Sequence, residues 1–267
     1  GSNLTEVTKT SLVQSLKSYA VASVTPVIID PETTFITLTT TFKYDSSLTT
    51  KDVSTLQTNV LNAVSTYNTD TLEDFTGMFR YSAVGKTIDE ADTSILSNIT
   101  KIKMYKYITP TLSSGLKYTL SFNNAFYNPH SGHNASAGGI VSSTGFKIND
   151  DSSTNEHFLD DNGEGAIRVY YLSGTTRIYT DSSFGTIDYT TGEIILTSAN
   201  ITSISNVDGA ASTQIRVTVT PSSNDVVPVR NQVLSIDTAN SSFTGSVDEI
   251  ESGSSQAGTS YTTTSSY

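Results

Sequence analysis

The side chains able to do chemistry are few and scattered along the 267 residues. His130 and His133 stand at i, i+3 in Asn128-Pro129-His130-Ser131-Gly132-His133. On a helix that spacing could hold a transition metal. Pro129 and Gly132 make the segment a loop, no nearby Asp, Glu or third His completes a ligand set, and an exposed polar loop is the better reading. His157 is a lone strand residue beside Glu156. Asp160-Asp161-Asn162-Gly163-Glu164-Gly165 alternates oxygen ligands as a calcium loop does, with Gly165 at the sixth position. The twelfth position is then Tyr171, where a bidentate Glu is needed. Asn-Gly is what a two-residue hairpin turn requires, so a turn is predicted here. Asp89 and Asp92 end a short helix, where carboxylates cap turns, and no second acidic pair faces them. Gly163-x-Gly165 lacks the third Gly of a phosphate loop, and no G-x-S-x-G elbow occurs. No catalytic residue, metal or cofactor is predicted.

Composition narrows the partners. The formal charge is −11, with no basic cluster, which argues against a nucleic-acid partner. Cys is absent, so disulfides and thiol chemistry are excluded. No run approaches 18 apolar residues, so no membrane span is expected. Ser and Thr make up roughly three residues in ten, beside 36% hydrophobic residues, enough for a core. Gly1-Ser2 with no Met reads as the remnant of a cleaved tag on a piece of a longer protein.

The elements follow from periodicity. Leu12, Leu16 and Tyr19 at i, i+4 and i+7 predict a helix over 4–20. Val24 to Ile29, interrupted by Pro26, predicts an edge strand or one that starts at Pro26. Phe35 to Tyr44 alternates, with Ile36, Leu38, Phe42 and Tyr44 on one face. Thr49-x-x-Asp52 resembles a capping box with Thr49 as N-cap, leading into a helix carrying Val53, Leu56, Val60, Val64 and Tyr67. A shorter helix holds Tyr81, Val84 and Ile88, and a strand runs from Ile99 to Ile108. The predicted class is α+β: an N-terminal mixed antiparallel α/β domain over 1–110. After Pro110 helical periodicity stops and short strands alternate with turns. An all-β, sandwich-like domain is predicted over 111–240. From Ser241 to 267 the chain is a Ser/Thr-rich tail, expected to be disordered unless it meets a partner.

Several runs carry a resemblance. Val24-Thr25-Pro26-Val27-Ile28-Ile29-Asp30-Pro31 leading to Phe42-Lys43-Tyr44-Asp45 resembles the baseplate J-like family of contractile phage tails. So do Phe79-Arg80-Tyr81-Ser82, Ile88-Asp89-Glu90-Ala91-Asp92 with Ile95 to Ile99, and, near the end, Asp225-Val226-Val227-Pro228-Val229-Arg230-Asn231-Gln232. The resemblance is to the C-terminal half of the family's wedge proteins. It implies a structural, non-enzymatic component of the virion's tail baseplate, assembled in the host cytoplasm. It further implies that the chain pairs with itself, as a dimer or in a ring, beside other wedge and hub proteins. No active-site residue transfers. Phe126, Tyr127 and Phe243 are the candidate interface residues, large aromatics among polar neighbours. Phe126 and Tyr127 could equally fold under their loop and close a sheet edge. A bacterial adhesin or stalk module is the rival reading, and a tail-associated glycan hydrolase is a third.

Overall fold

The computed structural model describes residues 4–21, 24–28, 30–151 and 155–249. Gly1-Ser2, Ile29 and the tail from Ile250 onward lie outside the described residues. The expected α+β class is overturned: the described residues are mostly β, with 41% strand, 17% helix and three short α-helices among them. Long-range strand pairing is the physical reason. Strands from the C-terminal part complete the sheet that the N-terminal part begins.

The first sheet is built around β1 (Glu32–Tyr44) and β2 (Ile95–Ile108), antiparallel partners along nearly their whole length. Ile36, Leu38 and Phe42 of β1 are buried, as the alternation predicts. β10 (Ile215–Val219) joins β2, and the short β4 (Ser142–Ser143) joins β10. The outer side of β1 takes two strands end to end, both parallel to it. These are β11 (Gln232–Ile236) on Glu32 to Ile36 and β12 (Ser242–Val247) on Thr39 to Tyr44. The head of the expected disordered tail is therefore a strand. Its backbone hydrogen bonds to β1 offset the ordering cost that its side chains alone could not.

Two helices cover the buried face of this sheet. α2 (Val53–Tyr67) lays Leu56, Val60 and Val64 into the core, each burial stabilising by about 1.5–3 kcal/mol. Its N-cap is Asp52, which accepts from the Thr55 N–H at 2.9 Å, not the predicted Thr49. Thr49 Oγ1 instead accepts from Lys51 N–H two residues on. A π-helical turn, Asn68–Leu72, follows and buries Leu72. α3 (Tyr81–Asp89) buries Val84 and Ile88. α1 (Glu6–Lys17) is present as predicted, capped by Thr5. Residues 24–28 hold no strand.

The second sheet comprises β3 (Gly115–Ser121), β5 (Phe146–Ile148), β6 (His157–Asp161), β7 (Ala166–Ser173), β8 (Thr176–Asp188) and β9 (Glu193–Ile204). β9 pairs with β5 and also with β8, which closes β5 to β9 into a barrel, and β3 adds to β9. A sandwich was the expected form. The closure depends on β9 bending at Ser198, a positive-φ residue, so that its two halves meet different partners. The predicted hairpin forms between β6 and β7, and β8 and β9 make a second one. The β6–β7 loop is longer than a two-residue turn: Asn162 N–H bonds the Ala166 carbonyl, and Asn162 Oδ1 accepts from Glu164 and Ala166.

Candidate interaction surface

Two of the runs that carry the resemblance meet in space although 145 residues separate Arg80 from Asp225. Phe79 and Val226 exchange both backbone hydrogen bonds, at 2.9 and 3.0 Å. Arg80, the formal N-cap of α3, offers no side-chain cap. Asp225 takes that place: its Oδ1 accepts from the Tyr81 N–H at 2.9 Å and its Oδ2 from Arg80 Nη1 at 2.8 Å. These bonds, the Tyr81 N–H first and the Arg80 guanidinium second, lower the Asp225 pKa. On the next turn Asn124 clamps the Val227 backbone, donating to its carbonyl and accepting from its N–H. Asp92 closes the Ile88–Asp92 run. It accepts from Lys51 Nζ and from the Ser94 hydroxyl and N–H, and its pKa falls to about 2, with Lys51 the largest cause. The acidic residues of these motifs hold turns and helix starts in place.

The barrel carries the densest polar cluster. Asp161 Oδ1 accepts from the N–H groups of Ile140 (2.7 Å) and Val141 (2.8 Å), and Oδ2 from Gly163 N–H and the Tyr189 hydroxyl (2.6 Å). Asp160, also buried, accepts from Arg168 Nε, Arg177 Nη1 and the Tyr179 hydroxyl. Arg168 reaches onward to the Ala135 carbonyl. The two guanidinium groups stack over Tyr179 and Tyr170. Burial, then the Asp161 contact, raises the Tyr189 pKa, which keeps its hydroxyl a donor. This network pins loop 134–141, and with it the histidine pair, to the barrel wall. Arg168, Arg177, Tyr179, Tyr189 and Asn124 were not singled out from sequence. Arg177, Tyr179, Tyr189 and Asn124 lie 17 or more residues from the groups they serve, with no local pattern to mark them, while Arg168 stands directly across the β6–β7 hairpin from Asp160.

Among the described residues the three histidines lie at two separate places, His130 and His133 on a loop and His157 on β6. His130 Nε2 and His133 Nδ1 lie 3.3 Å apart on an exposed loop, and Tyr127 packs edge-on against His133 at 5.2 Å. Among the described residues no group of three His, Cys, Asp or Glu could hold a metal. His157 is buried between Thr180 and Asp151, and burial lowers its pKa against the pull of Asp151.

Of the predicted interface residues, Phe126 is 2% exposed. It packs edge-on against Phe122 and bridges to Pro221, so it folds under its loop as the alternative reading had it. Tyr127 is half-buried, its N–H bonded to the Thr220 carbonyl. Phe243 sits on β12 opposite Thr40, half-buried against the core. The largest apolar exposure lies elsewhere. Val7, Leu12, Leu16 and Tyr19 of the α1 segment stand in solvent, Tyr19 at 88%. Their spacing was legible, but the stripe packs against nothing that a core would supply.

The acidic residues at these sites hold turns, a helix start and a loop in place. Residues 32–107 match the family model of the baseplate structural protein gp6, C-terminal domain III. That segment spans β1 through β2 with both covering helices. The chain is also 28% identical over 151 residues to the baseplate wedge protein gp6 of Enterobacteria phage T4, covering 49% of this chain. It spans 23% of that relative's length. The two matches bear out the resemblance to baseplate wedge proteins and support a structural baseplate role. No helix among the described residues is long and apolar enough to cross a membrane.

Proposed function

We propose that this chain is a non-enzymatic structural component of a phage tail baseplate, which associates with copies of itself to link neighbouring wedges into a ring around the central hub. The match of residues 32–107 to the gp6 C-terminal domain III carries the reading. The geometry supports it in a second way. The motif residues Arg80, Asp92 and Asp225 are spent on internal bonds, which leaves a rigid body whose open features are an apolar helix stripe and sheet edges. A ring of identical subunits needs either one heterologous contact or two self-complementary ones, and such contacts are made by rigid surfaces. Other wedge and hub proteins are the further partners in this reading. Antibody labelling of intact virions by electron microscopy tests the location, and sedimentation of the chain across a concentration range tests self-association. Label at the tail baseplate and mass rising with concentration are expected. Label absent from virions would overturn the reading.

A further inference from the structure

β12 is an edge strand without the usual protection. Edges that must stay unpaired carry a charge, a proline or a bulge. Ser242-Phe243-Thr244-Gly245-Ser246-Val247 carries none of these, in a chain of net charge −11. Among the described residues β12 pairs with β1 alone. Its phase is set by Asp248, whose N–H bonds the Tyr44 carbonyl, with Tyr44 opposite Val247. In a parallel ladder, the alternate residues Ser242, Thr244 and Ser246 then turn their backbone groups toward β1. Phe243, Gly245 and Val247 turn theirs outward. These three also share the helix-covered face of the sheet. A Cβ on Gly245 would come within 2.7 Å of the Phe42 ring and 2.9 Å of Val53 Cγ2, so the middle of the strand is held flat against the core.

We infer that this edge pairs antiparallel with the same edge of a second copy, about a two-fold axis through Gly245. The inference rests on the self-association reading above and names its contact. The outward groups are symmetric about Gly245, so a copy rotated there offers each donor an acceptor. Phe243 of one copy falls beside Val247 of the other, on the face where exposed Val53 extends the apolar row. No charge on the strand opposes the approach of two acidic chains. A six-residue strand is about 20 Å long. That supplies only part of the ~800 Å² per partner of a stable dimer, so the contact is weak in solution and its population rises with concentration.

The chain has no Cys, so introduced thiols are unambiguous. In this register Thr244 faces Ser246 of the other copy as a non-hydrogen-bonded pair. Its Cα separation of about 4.5 Å is within disulfide reach. T244C and S246C forms of the full chain are mixed under mild oxidation. A T10C form, on the exposed side of α1, reports random collision. The mixed dimer is expected at least fivefold above either variant alone and above T10C. Val247→Pro, which removes an outward donor that β1 does not use, should return the yield to the T10C level. A mixed yield no higher than T10C, with sedimentation still showing association, overturns the edge contact and leaves the proposed function standing. A yield at that level with no association at any concentration overturns both.

Discussion

Asp161→Asn is the sharpest probe of how the barrel holds its loop. The wild-type carboxylate takes four hydrogen bonds, two from loop residues Ile140 and Val141 and two from Gly163 and Tyr189. The amide is nearly isosteric, so packing is kept and no cavity opens. One oxygen remains, and it can keep the donors on its own side. The two donors on the other side then face an NH₂ group. Each buried donor left without an acceptor costs about 1–3 kcal/mol. Relief from burying a charge returns part of this. The net destabilisation expected is about 2–4 kcal/mol, a sizeable share of the 5–15 kcal/mol of an ordinary domain. With 14 tyrosines and no Trp, tyrosine fluorescence follows urea unfolding. At a slope of about 2–3 kcal/mol/M the midpoint should fall by about 1 M. Hydrogen exchange adds a local readout: the Ile140 and Val141 amides should lose protection before the β1–β2 ladder does. A midpoint within 0.2 M of wild type, with both amides still protected, would refute the claim that Asp161 anchors the loop.

Other outcomes follow from the same reasoning. Asp92 has its pKa pulled to about 2 by Lys51 and the Ser94 bonds, below its ordinary value. Its stabilisation is therefore complete above the unfolded value near 4 and disappears as pH falls toward 2. Since Lys51 is half in solvent, about 1 kcal/mol is at stake, and Asp92→Asn should flatten the acid limb of a stability–pH curve between pH 4 and 2. Asp225→Ala removes the cap of α3 supplied from afar and should cost about 1–2 kcal/mol in urea, while Arg80→Ala, losing a half-exposed ion pair, should cost under 1. Leu56→Ala, at a fully buried position of α2, should cost about 2–5 kcal/mol, whereas Leu16→Ala on the exposed stripe of α1 should stay within about 0.5.

Local periodicity carried much of the fold. The even-numbered face of β1, the buried Leu56–Val60–Val64 row and the Val84–Ile88 pair were all readable, because each is a spacing rule obeyed within one element. The class was not readable. Nothing near Val233 or Phe243 says that those strands lie parallel to β1 some 200 residues earlier. Likewise nothing near Ser198 says that β9 bends to serve two partners. The capping box failed for a smaller reason: Thr49 and Asp52 are both favoured N-cap residues, and the chain used the one next to the helix. Aromatic residues in a polar loop suggested an interface at Phe126, but proximity to Phe122 and Pro221, invisible locally, buried it. The motif runs fared best, since Phe79-Arg80 and Asp225-Val226 prove to be two halves of one junction.

That β11 and β12 fill the outer side of β1 has a consequence for biogenesis. Translation proceeds from the amino end, so β1 and its helices leave the ribosome well before the strands that finish their sheet. Until residue 247 has emerged, a nascent chain carries a hydrophobic ladder with one flank unsatisfied, the state in which chains most readily stick to one another. Early termination upstream of β11 should therefore yield inclusion bodies, not a smaller soluble product.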